Sequence, residues 1–150
     1  MKNRMMIPLA LSAAAALAMS GTALANDNGY GTQKVVYHVN YDDTDRYMGA
    51  MGNIQNHINA VGADNMEIKV VMHGDGLGLL DTARNHDDLR ARVDNLKLQD
   101  VEFQVCANTL AGRNIDLHED LYDAREADII PSGVAHISHL QNNGYTYSRP

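Results

Sequence analysis

Cys106, the only cysteine of the chain, is the side chain best suited to covalent chemistry. It follows the alternating apolar residues Val101, Phe103 and Val105, which predict a strand, and it precedes residues 107–111, which can open a helix. In an α/β protein, ligands bind at the edge where strands end and helices begin. A thiol that faces the N–H groups of a helix start has a stabilised thiolate and is more nucleophilic. A free cysteine is equally typical of a small buried core residue, so both interpretations stay open.

Four further side chains could assist a reactive thiol, and they are Asn108, Arg113, His73 and Ser132. Arg113 or His73 could add positive charge beside a thiolate. Asn108 or Ser132 could hydrogen-bond a sulfur atom bound to it. Each also has a purely structural interpretation: Arg113 suits a surface ion pair and His73 a brace for its loop. In the same way Ser132 suits a helix N-cap and Asn108 a turn.

The histidines raise the alternative of a metal site, and they stand at positions 38, 57, 73, 86, 118, 136 and 139. His136 and His139 are spaced i, i+3 on a predicted helix, while His38 and His73 end neighbouring predicted strands and could approach Cys106. No H-x-x-x-H pair and no C-x-x-C motif is present, and structural zinc usually has four closely spaced ligands. Scattered surface histidine is therefore the simpler interpretation, and we predict no metal.

A third alternative is a binding protein without catalysis, with a flavin or small anion in the crevice at the strand ends. The Ser- and Thr-rich phosphate loop of flavodoxins is missing after the first predicted strand, where Asp42 and Asp43 place acids instead. These acids count against a flavin phosphate, and we predict no cofactor.

The N-terminus has the pattern of a secretory signal peptide. Lys2 and Arg4 form a basic start, an apolar run follows from Met5 to Met19, and residues 23–25 form an A-x-A cleavage site. The run is too short for a membrane-spanning helix. We therefore expect residues 1–25 to be removed and the protein to be exported, most simply to a bacterial periplasm.

The remaining chain predicts one domain. Residues 26–33 are Gly- and Asn-rich and predict a flexible lead-in, while residues 34–150 suit a single core. Without Lys2 and Arg4, 10 basic residues face 19 acidic ones, a net charge of −9. No basic stripe is present to neutralise phosphates, so nucleic acid and anionic membranes are excluded as partners. One cysteine cannot form an internal disulfide, so the fold depends on its hydrophobic core.

Strands and helices alternate along the domain. The apolar patterns predict strands at 34–40, 66–72, 101–105, 128–130 and 145–147. They predict helices at 46–61, 87–98, 107–111, 116–121 and 132–140. Such alternation predicts a mostly parallel five-stranded sheet with helices on both faces. The strand ends then bring 40–42, 73–75, 106–108 and 132–133 to one rim.

Several short motifs resemble those of the DsrE/DsrF-like (YchN-like) sulfur-relay family. The strongest are Val105-Cys106 followed by Arg113-Asn114-Ile115, and then Pro131-Ser132-Gly133-Val134-Ala135. Weaker ones are Val71-Met72-His73-Gly74-Asp75-Gly76 and the ending Gly144-Tyr145-Thr146-Tyr147. Their order and spacing extend the resemblance over residues 34–150.

The resemblance implies a flavodoxin-like three-layer sandwich, assembly into homo- or hetero-oligomers that are often trimer-based, and a cysteine, here Cys106, that carries sulfur as a persulfide. For this chain we expect a trimer-based homo-oligomer. It makes the protein at most a sulfurtransferase that exchanges sulfur between a sulfane sulfur donor and a thiol acceptor, either of which could be a protein. The alternative is a non-catalytic, oligomeric protein of the periplasm that binds a small ligand or a metal.

Overall fold

The computed structural model describes residues 29–150, so the predicted signal peptide lies outside the described residues. The described chain alternates strands and helices. The strands are β1 (Gln33–Val39), β2 (Met66–Met72), β3 (Glu102–Cys106), β4 (Ile129–Ile130) and β5 (Thr146–Ser148). The helices are α1 (Thr44–Val61), α2 (Gly78–Ala83), α3 (Asp87–Lys97), α4 (Ala107–Arg113) and α5 (Gly133–Asn142). Short 3₁₀ turns lie at Ala63–Asn65, Gly74–Leu77 and Glu126–Asp128.

All five strands of the sheet are parallel, in the order β4-β3-β2-β1-β5. The predicted α/β class and flavodoxin-like three-layer arrangement are confirmed, and the sheet is parallel throughout. Because parallel strands point the same way, their C-terminal ends lie along one edge, here called the rim. The rim gathers the segments that follow Val39, Met72, Cys106 and Ile130.

One face of the sheet is covered by α1, α2 and α3. This face, here called the closed face, holds the larger apolar cluster, in which Tyr37, Val70 and Phe103 from the strands pack with residues such as Ile54 and Leu89 from the helices. Inward residues at every second strand position meet inward residues at helical spacing. The cluster accounts for most of the buried apolar side chains of the described chain.

The opposite face, here called the open face, is covered by a single long helix, α5. Its apolar cluster has six buried members, which are Val36, Val71, Ile130, Ile137, Leu140 and Tyr145. Around them the strands present polar side chains, among them Lys34, Glu67 and Lys69. On α5, the side chain of Val134 faces solvent at 66% exposure.

Capping residues fix where the main helices begin and end. The Asp43 side chain accepts the Arg46 amide N–H at 3.0 Å at the start of α1, and Gly62 ends that helix with a φ of 94°. Asp43 satisfies one of the N–H groups that a helix start leaves free, and glycine tolerates positive φ at little cost. The Ser132 hydroxyl accepts the Ala135 amide N–H at 3.5 Å at the start of α5, as its predicted N-cap role requires.

Gly76 brings two loops of the rim into direct backbone contact. A Cβ atom at this position would lie 1.9 Å from the carbonyl oxygen of Val39. Nearby, the Tyr47 hydroxyl donates to the Tyr41 carbonyl oxygen at 2.7 Å and lies 3.2 Å from that of Asp75. The loop after β1 and the loop after β2 are therefore packed against each other without an intervening side chain.

Two helical predictions differ from the structure. The predicted helix at 116–121 is a single turn, since the Asp116 carboxylate accepts the amides of His118 and Glu119 but the Tyr122 amide donates to the Leu80 carbonyl of α2. This contact takes the chain away from a helical path. Conversely, α2 was not predicted, because Gly76 and Gly78 indicated a loop.

Among the described residues, no helix combines the length and apolar character required to cross a bilayer.

Candidate functional site

Cys106 lies at the rim, as the last residue of β3 and the N-cap residue of α4. Its side chain is buried, with 4% of the residue exposed, yet it belongs to neither apolar cluster. The amide N–H of Gly133, at the start of α5, donates a hydrogen bond to its Sγ at 3.3 Å. The thiol therefore sits between the starts of two helices, in polar rather than apolar surroundings.

The surroundings of Cys106 favour the thiolate. Burial raises the pKa of the Cys106 thiol, but the hydrogen bond from the Thr109 hydroxyl and the Gly133 amide lower it. The amides of Thr109 and Asn108 act in the same direction, and together these groups bring the pKa below its ordinary value. No side-chain capping bond joins the sulfur to α4, so the Asn108 and Thr109 amides act as nearby oriented dipoles.

Thr109 connects the thiol to the neighbouring loop. Its Oγ1 accepts the amide N–H of Gly74 at 2.9 Å, which leaves the hydroxyl proton for the sulfur of Cys106. Sequence reasoning missed this residue. The signal was its position three residues after the cysteine at a helix start, where a side chain commonly turns back to the N-cap.

Gly133 is fixed in place by the ring of His73. A Cβ atom on Gly133 would lie 2.7 Å from the Cβ of His73 and 3.0 Å from its Cδ2. Only glycine therefore lets α5 begin this close to the end of β2. The contact holds the Gly133 amide against Cys106, and it brings His73 into the site through Gly133 rather than through the thiol itself.

His73 is also one end of a chain of ring contacts on the open face, with His38 in the middle. Its Nε2 lies 2.7 Å from Nε2 of His38, and Nδ1 of His38 lies 2.7 Å from the Tyr147 hydroxyl. Burial, together with the charges of His73 and Arg149, lowers the pKa of His38 to about 4. Burial also lowers the pKa of His73. Both rings are therefore neutral at pH 7.

Arg113 lies beside the loop after β2, where a Cβ atom on Gly74 would be 3.8 Å from its guanidinium. Its guanidinium forms an ion pair with Asp75 at 2.7 Å, and both side chains are about half exposed. The pair lines a cavity of about 360 Å³ together with Asp42, Asp81 and Asp120. Acids outnumber the one base there, so the cavity disfavours anionic ligands. The structural interpretation of Arg113, a surface ion pair, agrees with the structure.

The remaining candidates flank the thiol. Asn108 is exposed in the first turn of α4, and its amide N–H is one of the groups that favour the thiolate. Ser132 is half-buried and caps α5, next to the glycine that binds Sγ. The structure thus brings Cys106, His73, Asn108 and Ser132 to one place, while the guanidinium of Arg113 is paired with Asp75.

Histidine contacts elsewhere are less convergent. The rings of His136 and His139 lie 5.9 Å apart along α5. Burial lowers the pKa of His136. Among residues 29–150, no three His, Cys, Asp or Glu side chains gather closely enough to hold a metal ion.

Comparisons with known proteins agree with the fold. The model of the DsrE/DsrF-like family matches residues 10–147. The chain is similar to a solved structure from Methanobacterium thermoautotrophicum, the protein of unknown function MTH1491, with 31% sequence identity and a TM-score of 0.67. That similarity covers 79% of this chain and 99% of MTH1491. No curated protein matches the chain.

Proposed function

The chain belongs to the DsrE/DsrF-like family, which is associated with sulfur relay, and from that premise we propose that it carries sulfane sulfur as a persulfide on Cys106. The observation that carries the proposal is the set of polar groups around the sulfur of Cys106. One amide hydrogen bond, one threonine hydroxyl and two oriented amides lower the pKa of the only thiol. The thiolate is the form that attacks sulfur.

The chemistry is two thiol exchanges. In the first, the Cys106 thiolate attacks the outer sulfur of a donor persulfide, R–S–SH. The Sγ–S bond forms, the S–S bond of the donor breaks, and R–S⁻ leaves. In the second, an acceptor thiolate, R′–S⁻, attacks the outer sulfur of Cys106–S–SH, which forms R′–S–SH and restores the Cys106 thiolate. Neither step requires an external oxidant or reductant, since each S–S bond broken is replaced by one formed.

The groups around the thiol have distinct tasks in this scheme. Gly133 and Thr109 stabilise Sγ when it is the attacking or the leaving thiolate. Asn108 is exposed beside it, where its amide group can hydrogen-bond the outer sulfur. The Ser132 hydroxyl, which accepts from Ala135, keeps its own proton to donate. Arg113 has no task, because it is paired with Asp75.

The proposed reaction requires that a donor reach the sulfur, although only 4% of Cys106 is exposed. The covering layer is thin: Ala107 and Thr109 are half-exposed, Asn108 is exposed, and α4 has no buried residue. A donor persulfide reaches Sγ if α4 shifts slightly at its first turn. A larger rearrangement of the closed face is not required, since Cys106 is not part of its apolar cluster.

Mass spectrometry of the intact protein tests the proposal. After incubation with polysulfide and removal of the excess, we expect a gain of about 32 Da that dithiothreitol removes. The matched control is Cys106→Ser, which keeps a small polar group at the site. Thiol titration of the native and the unfolded protein measures access separately. A label that Cys106→Ser also gains, or native protein that stays unlabelled while its thiol reacts with other reagents, would overturn the proposal.

Export and self-association complete the proposal. Residues 1–25 carry the pattern of a signal peptide, which supports removal of that segment and a periplasmic location. The exposed side chains Val134 and Tyr147 support self-association through the part of the open face near α5, and the family resemblance implies a homo-oligomer that is trimer-based. Light scattering after size exclusion measures the mass, and cell fractionation with N-terminal sequencing tests export. A monomer would contradict the proposed oligomer, and an uncleaved cytoplasmic chain would contradict the proposed export.

A further inference from the structure

We propose that His38 and His73 form a binding site for a divalent transition-metal ion, with Cu²⁺ bound most tightly and the two Nε2 atoms as the protein ligands. The observation is the meeting of these two nitrogens, 2.7 Å apart, at the ends of neighbouring strands. The site is distinct from the thiol and does not depend on the sulfur chemistry proposed above. Two protein ligands leave the other coordination positions to water or to a partner.

Strand alternation brings the ligands together. His38 lies two residues after Val36, and His73 two residues after Val71, so all four side chains fall on the open face. The pairing of β1 with β2 joins Val39 to Met72, which places the two histidines at adjacent strand ends. Both residues are half-buried, so solvent reaches the pair.

The orientation of the two imidazoles suits a shared ion. The hydrogen bond between the two Nε2 atoms requires one of them to carry a hydrogen, which must move to Nδ1 of the same ring or to solvent before both nitrogens can bind the ion. The Tyr147 hydroxyl holds Nδ1 of His38 at 2.7 Å. Metal-binding histidines almost always have such a partner on the second nitrogen, which fixes the tautomer and the ring orientation.

Geometry and ligand type favour Cu²⁺ within this class. Metal–nitrogen bonds of about 2.0–2.1 Å put two ligand nitrogens about 2.9 Å apart in a square-planar site and about 3.3 Å apart in a tetrahedral one. A square-planar ion therefore requires the smaller increase of the present 2.7 Å separation between the two Nε2 atoms. Copper also has the highest affinity in the usual order of divalent ions. The charge of Arg149 acts on His38 and opposes a cation, while neither ring has a carboxylate partner.

Titration with Cu²⁺ alone tests the site. The protein is made without a His tag and carries Cys106→Ser, so that copper cannot react with the thiol. Glycine competes for the ion, and electron paramagnetic resonance follows the bound species. We expect His38→Gln and His73→Gln each to weaken the binding at least about tenfold, and Tyr147→Phe to weaken it about tenfold through the lost ring partner. Arg149→Gln should strengthen it.

The matched control is His139→Gln, which removes a histidine of the other ring pair, on α5. It should leave the affinity within about twofold of the parent, since that pair is separate. Parent-like affinity in both His38→Gln and His73→Gln, or a loss confined to His139→Gln, would overturn the proposal. Nitrogen-15 spectra of the unsubstituted rings with Zn²⁺ give a second measurement that needs no variant. The Nε2 signals of His38 and His73 should shift together, and their constancy while other histidines shift would also overturn it.

Discussion

The two faces of the sheet are buried in different ways. On the closed face, three helices cover the strands with one continuous apolar cluster. On the open face, α5 covers six apolar residues, and the strands also carry ion pairs, half-buried histidines and an exposed tyrosine. The cysteine lies at the rim between the faces, beside the start of α5.

The closed face mainly stabilises the fold, whereas the open face carries the groups that can bind or react. An apolar cluster that excludes water stabilises the fold but offers no reactive group. The open face has fewer apolar contacts, and its polar groups keep contact with solvent. Its histidine pair and the Gly133 amide, which meets the thiol, lie where α5 starts. Function is therefore expected along this edge, and changes to the two faces should have different consequences.

The largest expected effect is on the closed face. Ile54 is fully buried there, and Ile54→Ala should lower the free energy of unfolding by about 3–5 kcal/mol because it leaves a cavity in close packing. Ile137→Ala, on α5, is the matched change on the open face. We expect it to cost about 2 kcal/mol, since Ile137 retains 7% exposure in a smaller cluster that can relax. Urea unfolding followed by circular dichroism measures both; equal losses would contradict the comparison.

The next effect is the acid sensitivity of the open face. The pKa of His38 is lowered from 6.5 to about 4, so the unfolded chain binds more protons than the folded one between these values. Stability is therefore complete above pH 6.5 and is lost as the pH falls toward 4. Unfolding free energies measured across this range should fall by about 2–3 kcal/mol from this residue.

His38→Gln provides the control for that pH dependence. It should flatten the curve between pH 6.5 and 4.5, although the lowered pKa values of His73 and His136 leave part of the slope. Glu67 does not affect the curve between pH 6.5 and 4.5. Because its pKa is lowered, the stability that depends on its charge is lost only at more acidic pH. An unchanged slope in the variant would show that His38 is charged more easily than its burial indicates.

The smallest effect concerns the rim between the faces. Thr109→Val removes the hydroxyl that hydrogen-bonds the thiol, so the pKa of Cys106 should rise. The thiolate fraction at pH 7 then falls, and the rate of reaction with iodoacetamide falls by less, because a thiolate of higher pKa is more nucleophilic. The pH dependence of that rate gives the pKa directly.

Thr109→Ser is the matched control, because it keeps the hydroxyl that accepts from Gly74 and donates to the sulfur. It should behave as the parent protein. A pKa that stays unchanged in Thr109→Val would mean that the amides alone stabilise the thiolate.

Periodicity in the sequence predicted most of the fold. The predicted bounds of β2 agree with the structure, and those of α1 and α5 differ by a few residues, because each element has a clear apolar period with a capping residue or glycine at an end. The exceptions were the helix predicted at 116–121, which is a single turn, and α2, because Gly78 at its start and the glycines before it favour a loop. Burial of Leu79, Leu80 and Ala83 decides its conformation, and that burial depends on partners distant in the sequence.

The site was predicted in part. Cys106, His73, Asn108 and Ser132 meet because parallel strands end at one edge, a property of topology that alternation predicts. The contact of His73 with Gly133 and the role of Thr109 depend on atomic distances that no spacing gives. The choice between the two interpretations of Arg113 also depends on distance, and the ion pair with Asp75 agrees with the structural one.

The backbone contact at Gly76 divides the rim mechanically. Because Gly76 contacts the Val39 carbonyl group directly, the loops after β1 and β2 form one rigid unit. The first turn of α4, which has no buried residue, is the part of the rim beside the sulfur that is left free to move. Amide hydrogen exchange should accordingly be slow around residues 73–77 and fast around residues 107–110. An incoming molecule would then displace the first turn of α4 rather than the loops after β1 and β2.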